Sequence, residues 1–300
     1  MKKIYYRLFS TPPIVLYQKL FLYPVGNFLG MKCGKLFYKL SSEELIQKSK
    51  DQIFTGTNSL WKFIVNIHIN DVFQKLSDAE KRKWNRSEFW GNEAGENWHR
   101  TRASYYDDKK IFFEHYLVPR QYFIDRFNTH IKNEHISNVI EVGTGSGKFL
   151  AHLATQHTNE TRFTGIDLNE RIIKENNKKY GSVLNLKFIY TELLDYLKTE
   201  HVENTCIIGT GTFEMFTQNE LEELLSFVSS TYAHVSFAIC EPVDKDFDKQ
   251  ENSTAREMIT FNSHNYISLF KKYGFRIISL QMPFLENALA NNMISLIAAK

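Results

Sequence analysis

The sequence predicts an α/β fold: a doubly wound, mostly parallel sheet of seven strands behind a helical N-terminal extension. Three observations predict it. The first is residues 138–148, Asn-Val-Ile-Glu-Val-Gly-Thr-Gly-Ser-Gly-Lys, where the apolar run Val139–Val142 reads as a buried parallel strand. Glycines at 143, 145 and 147 then turn the chain into the helical pattern of 149–154. The second is Phe163-Thr164-Gly165-Ile166-Asp167, a second strand closing on an acid twenty residues after Gly147. The third is the alternation of strand and helix patterns from 138 to the end of the chain, which calls for a sheet covered on both faces.

The spacing at the glycines selects among nucleotide-binding turns. A dinucleotide fingerprint, G-x-G-x-x-G, needs its third glycine where Lys148 stands. A phosphate-binding P-loop needs glycine at Val142 and Ser or Thr at Phe149. Both patterns fail, and E-x-G-x-G-x-G remains. An acid at the tip of the second strand suits a pair of ribose hydroxyls.

These residues resemble motif I of class I S-adenosylmethionine (SAM) dependent methyltransferases. The resemblance covers roughly 119–300, and the domain boundary is drawn there: 1–118 a helical extension or lid, 119–300 a SAM-binding, Rossmann-like domain. It implies that Glu141 helps hold the methionine end of SAM, that Gly143, Gly145 and Gly147 make room for it, and that Asp167, followed by Leu168, grips the ribose. Glu192, after the third strand at 186–190, stands where the family places an acid beside adenine; capping the next helix is an equal role for it. Gly209-Thr210-Gly211-Thr212, after a fourth strand at 206–208, is similar to the family's fourth motif, under the methionine end and open to the acceptor. The C-terminal pattern of helix, Gly274-Phe275, strand 276–280, polar loop and last strand 293–299 is similar to the family's end, where the seventh strand inserts antiparallel between the fifth and sixth.

The other elements follow in order. Residues 41–85 have helical character, with starts at Ser41-Ser42-Glu43-Glu44 and Ser77-Asp78-Ala79-Glu80. Residues 84–106 concentrate Trp84, Trp90, Trp98, His99, Arg100, Arg102, Tyr105 and Tyr106 around Gly91 and Gly95, a set suited to a lid over a cationic sulfonium. A helix over 119–132 precedes the first strand, and Arg120 at its start is a candidate for the SAM carboxylate. A helix over 218–230 carries Leu221, Leu224, Leu225 and Val228 on one face. The fifth strand, 235–240, leads into Glu241-Pro242. A polar insertion, 244–256, is expected over the cleft mouth, and Phe261–Tyr266 is expected to open a helix reaching Lys272.

Charge is uneven. Residues 1–40 hold seven bases and no acid, so the +3 of the whole chain leaves 3 − 7 = −4 for 41–300. That balance argues against a nucleic-acid partner. The basic, apolar first forty residues suit either peripheral contact with an anionic membrane or two short helices docked on the main domain; prolines at 12, 13 and 24 break any long helix there. Three scattered cysteines without metal-ligand spacing fit a reducing, cytoplasmic setting and no metal site.

Methyl transfer is an in-line displacement for which positioning and water exclusion supply much of the acceleration. A hydroxyl acceptor also loses a proton, which favours a general base. Glu214, Glu241 and His264 stand at strand ends where such a base belongs, and histidine titrates in the suitable range. The expected acceptor is a small molecule, a hydroxyl of a sugar or glycan precursor, with a small-molecule amine as the alternative chemistry. A non-catalytic SAM-binding module is the alternative to an enzyme.

Overall fold

The computed structural model describes residues 33–42, 60–157, 160–200, 204–255, 261–285 and 292–300. The chain divides into two compact units, Met1–Ser77 and Asp78–Lys300. In the first, helices α1 (33–40) and α2 (Leu60–Gln74) are described. Ile64, Val65, Ile69 and Phe73 form the buried stripe of α2. The Ser41 hydroxyl donates back to the Phe37 carbonyl at 2.7 Å, so Ser41 closes α1. The helix start expected at 41–44 reaches into 43–59, outside the described residues, as do residues 1–32 of the basic segment. No helix among the described residues is long and apolar enough to cross a membrane.

The second unit opens with α3 (Asp78–Lys83), a π-helical turn Trp84–Trp90, α4 (Glu93–Tyr105) and α5 (Lys109–Phe112). The aromatic stretch 84–106, read as a lid candidate, is largely helical. After α6 (Gln121–Asn133) the chain alternates: β1 (Asn138–Val142), α7 (Lys148–Ala154), β2 (Arg162–Asp167), α8 (Glu170–Tyr180), β3 (Leu186–Tyr190), α9 (Leu193–Thr199), β4 (Thr205–Thr210), α10 (Gln218–Thr231) and β5 (Val235–Val243). Helix α11 (Tyr266–Lys272) and the pair β6 (Arg276–Leu285) and β7 (Asn292–Ala299) complete it.

The seven strands lie in the order β3-β2-β1-β4-β5-β7-β6. The first five pair in parallel, and β7 enters antiparallel between β5 and β6. This is the class I methyltransferase topology. All five residues of β1 are buried, as a central parallel strand requires. Successive side chains alternate between two cores. Ile140, Val142 and Ile207 face α9, α10 and α11, whereas Val139, Cys206 and Ile208 face α6, α7 and α8.

Two boundaries differ from expectation. Strand β5 runs on through Glu241 and Pro242 to Val243. Its pairing with β4 ends at Cys240, so beyond that point only β7 flanks it and proline loses no ladder bond on the free side. Helix α11 starts at Tyr266, capped by Asn265, whose side chain accepts from Ser268 N at 3.0 Å. Asn262–Ser263 instead pairs with Thr254–Ala255 in a two-residue ladder, so His264 sits between strand and helix.

Candidate cofactor and acceptor site

At the tip of β1 the chain makes a bend in which Gly143, Gly145 and Gly147 all have positive φ, 63°, 51° and 67°. An L residue is strained at each. The three glycines make room for different things. A Cβ on Gly143 would lie 2.7 Å from Thr212, and one on Gly147 would lie 2.7 Å from the Phe188 ring. Those two close the domain on itself. A Cβ on Gly145 would meet only His99, at 3.0 Å. Gly145 is thus the bare backbone surface that a ligand could cover.

Asp167 organises this bend. One carboxylate oxygen accepts from Gly145 N at 2.9 Å and the other from Asn169 N at 3.0 Å. The Gly145 carbonyl in turn accepts from Asn176 Nδ2 at 2.6 Å. Behind the bend, Glu141 is buried and accepts from the Thr144 hydroxyl at 2.6 Å. Burial pushes its carboxyl up to about 8, against the opposing Thr144 bond. Glu141 is therefore a protonated acid at neutral pH in this arrangement.

Leu168 is half-buried beside Asp167. Glu192 stands at the N-cap of α9 but makes no capping bond. It pairs with Arg86 at 2.7 Å and Arg82 at 3.7 Å, and burial holds its carboxyl above the usual range against those charges.

The second half of the site lies at the tips of β4 and β5. Glu241 is fully buried, with Oε1 accepting from Thr212 N at 3.0 Å and Phe213 N at 3.2 Å, and Oε2 from Glu214 N at 3.3 Å. Burial lifts it to about 7 against these bonds. It fixes the loop after β4 from below. Gly209 is bare because a Cβ there would strike the Phe213 ring at 2.4 Å. Thr210 Oγ1 lies 3.3 Å from the Tyr116 hydroxyl. Arg120, the sequence candidate for a carboxylate, is buried with its guanidinium 4.0 Å over the Tyr116 ring and donates to the Tyr116 carbonyl at 3.1 Å. The Glu214 carboxyl is buried beside the Gly211 turn.

His264 has no exposed surface. Its Nδ1 pairs with the Ser253 hydroxyl, and burial depresses the imidazole to about 4. The ring is enclosed and neutral in this arrangement. The insertion 244–255 carries a buried apolar anchor, Phe247, that its polar composition did not announce. Among the described residues no group of His, Cys, Asp and Glu is arranged to hold a metal ion. The cysteines are free, and Cys206 and Cys240 are buried in β4 and β5.

Sequence reasoning missed Lys148. The residue that excluded a dinucleotide fingerprint sends its ammonium to the Tyr106 carbonyl and to Asp107 at 3.3 Å. It anchors the end of α4 beside the glycine bend. No local pattern signals a pairing forty residues away.

Residues 139–232 match the family model described as a methyltransferase domain. A search of the curated proteins finds no match. Among solved structures, the chain is similar to magnesium protoporphyrin IX methyltransferase from Synechocystis PCC 6803 with bound SAM, at 15% identity over 75% of this chain and 98% of that one, with a TM-score of 0.49. It is similar to the N-methyltransferase NodS from Bradyrhizobium japonicum WM9, at 12% identity over 68% and 98%, TM-score 0.48. A third similar structure is a putative SAM-dependent methyltransferase from Listeria monocytogenes, at 16% identity over 59% and 97%, TM-score 0.43.

Proposed function

We propose, from the premise that this chain carries a class I SAM-dependent methyltransferase domain, that it methylates a hydroxyl of a small molecule, a sugar or glycan precursor. The observation that carries the reading is the pair of acid-organised strand tips: Asp167 and Gly145 on one side, Glu241 and the loop 211–214 on the other. Open α/β sheets bind ligands at such carboxyl ends. SAM supplies a methyl group already activated on a sulfonium. Glu141 would pair with the α-ammonium of the cofactor's amino-acid end, Gly145 would give close backbone approach, and Asp167 and Glu192 would face its ribose and adenine. Thr210, Thr212, Glu214 and Asn262 supply the polar density that suits a hydroxylated acceptor. Asn262 Nδ2 already donates to the Phe216 carbonyl at 2.9 Å, tying that loop in place.

We assign the acceptor's proton to Glu214. Glu241 frames it through the backbone, and His264 holds the insertion through Ser253. The experiment is incubation of the purified chain with SAM and a panel of sugars and sugar nucleotides. S-adenosylhomocysteine release and the methylated product are read by mass spectrometry. A methoxy sugar is the expected product, and methylation of amines alone overturns the hydroxyl assignment. Glu214→Gln should lower turnover roughly 10²–10⁴-fold with little change in SAM affinity; full activity removes Glu214 from this role. Peripheral contact of 1–40 with anionic membrane is part of the same proposal. Equal pelleting with anionic liposomes, with and without that segment, ends it.

A further inference from the structure

The segment 78–107 is seated on the strand tips at four separate points. His99, half-buried on α4, places its ring on the bare face of Gly145, where a Cβ would lie 3.0 Å from Nδ1. Trp90 lies 5.6 Å from His99, ring to ring. The carbonyls of Trp90 and Asn92 both accept from Asn169 Nδ2, at 3.4 and 3.3 Å, just beyond Asp167. Arg86 pairs with Glu192 at 2.7 Å and Glu220 at 3.3 Å. Lys148 and Arg100 fix the far end, Lys148 on Tyr106 and Asp107, and Arg100 on Glu175 at 2.6 Å.

Three of these points fall on residues assigned above to the cofactor: Gly145, the Asp167–Asn169 turn and Glu192. The ring covers the one glycine of the bend that packs on nothing else. We propose that this arm is a self-closing lid, in which His99 occupies the cofactor's seat on Gly145 and Arg86 holds Glu192, so that SAM must displace the arm to bind. The proposal rests on the cofactor reading given above. The latch is built for reversal. Its ion pairs are only partly buried, with Arg86 and Glu192 about one quarter exposed, so water can take over when they part. A site whose competent state is a minority binds with an affinity reduced by that fraction.

The test uses the full chain and SAM itself. Association is followed by stopped-flow tryptophan fluorescence, to which Trp84, Trp90 and Trp98 of the arm contribute, and affinity by calorimetry. His99→Ala is expected to bind SAM about tenfold faster and tighter than the parent, the gain for a competent state populated one time in ten. Arg86→Gln should give a smaller gain of the same sign. In the unaltered chain, SAM should accelerate hydrogen exchange in the amides of α4. Unchanged or weaker SAM binding in His99→Ala overturns the lid, as does slower exchange in α4 on SAM addition. SAM binding to neither the parent nor the variants sinks the cofactor reading itself. If His99→Ala does not fold, the exchange measurement on the parent decides alone.

Discussion

The two acid-organised tips of the sheet use one device with different degrees of closure. At β2, Asp167 spends one oxygen on Gly145 N and the other on Asn169 N, and half-buried side chains from another segment cover the bend. At β5, Glu241 spends both oxygens on three consecutive amides and has no exposed surface. The first lies beneath a segment whose Trp90 and Asn92 carbonyls accept from Asn169. The second is a frame with nothing left to offer. On the proposed reading the cofactor end is the adaptable tip, and the acceptor end is fixed in advance by a carboxylate that accepts from backbone amides.

The largest expected effect tests the frame. Glu241→Ala strands the amides of Phe213 and Glu214, which are buried, and that of Thr212, which is partly so; at about 1–2 kcal/mol each, unfolding free energy in urea should fall by about 3–6 kcal/mol. A loss below about 1 kcal/mol would mean the loop holds itself. The matched change at the other tip should act on binding. Asp167→Ala should weaken SAM by about 1–3 kcal/mol in calorimetry. Unchanged affinity would place the ligand elsewhere. Gly145→Ala sharpens the contrast, since it adds about 1–2 kcal/mol of left-handed strain and fills the bare bend. It should cost SAM affinity more than it costs stability.

The sequence carried the frame of the sheet and little of what closes it. Strand β1 was legible because a central parallel strand must be apolar throughout, and Asp167 because an acid closing the second strand stands at a readable offset from the glycines. The helices around Leu221–Val228 and 119–132 were legible from period alone. His99 on Gly145, Lys148 on Tyr106 and Arg86 on Glu192 join segments forty or more residues apart, and no periodicity records such pairings. Glu241 was located, but a carboxylate that accepts from backbone amides has the same spelling as one that takes a proton. The run of β5 through Pro242 was hidden because proline reads as a stop unless the free side of the strand is known.

The smallest effect is the most diagnostic of how the two tips differ, and it concerns protons. Glu141 stands behind the adaptable tip with its carboxyl raised by burial to about 8, from an ordinary value near 4.5. Between those values the folded chain holds a proton that the unfolded chain has released. Stability therefore falls as pH rises through this window, by at most about 1.4 kcal/mol per pH unit for the group. Glu241, raised to about 7, acts with the same sign below that pH, and His264, depressed to about 4, acts with the opposite sign between 4 and 6.5. From pH 7 to 8 Glu141 keeps more of its proton than Glu241 does, so of the three it contributes the larger part of the slope. Glu141→Gln should flatten the stability profile in that interval. The same proton marks ligand binding. The α-ammonium of SAM placed beside Glu141 favours its charged form, so SAM binding at pH 7 should expel a proton. Calorimetry in buffers of different ionisation enthalpy reads that release directly, and the Gln variant should abolish it. A proton release that survives Glu141→Gln would move the coupling to another acid. No release in the parent would mean that the cation never reaches the foot of the bend.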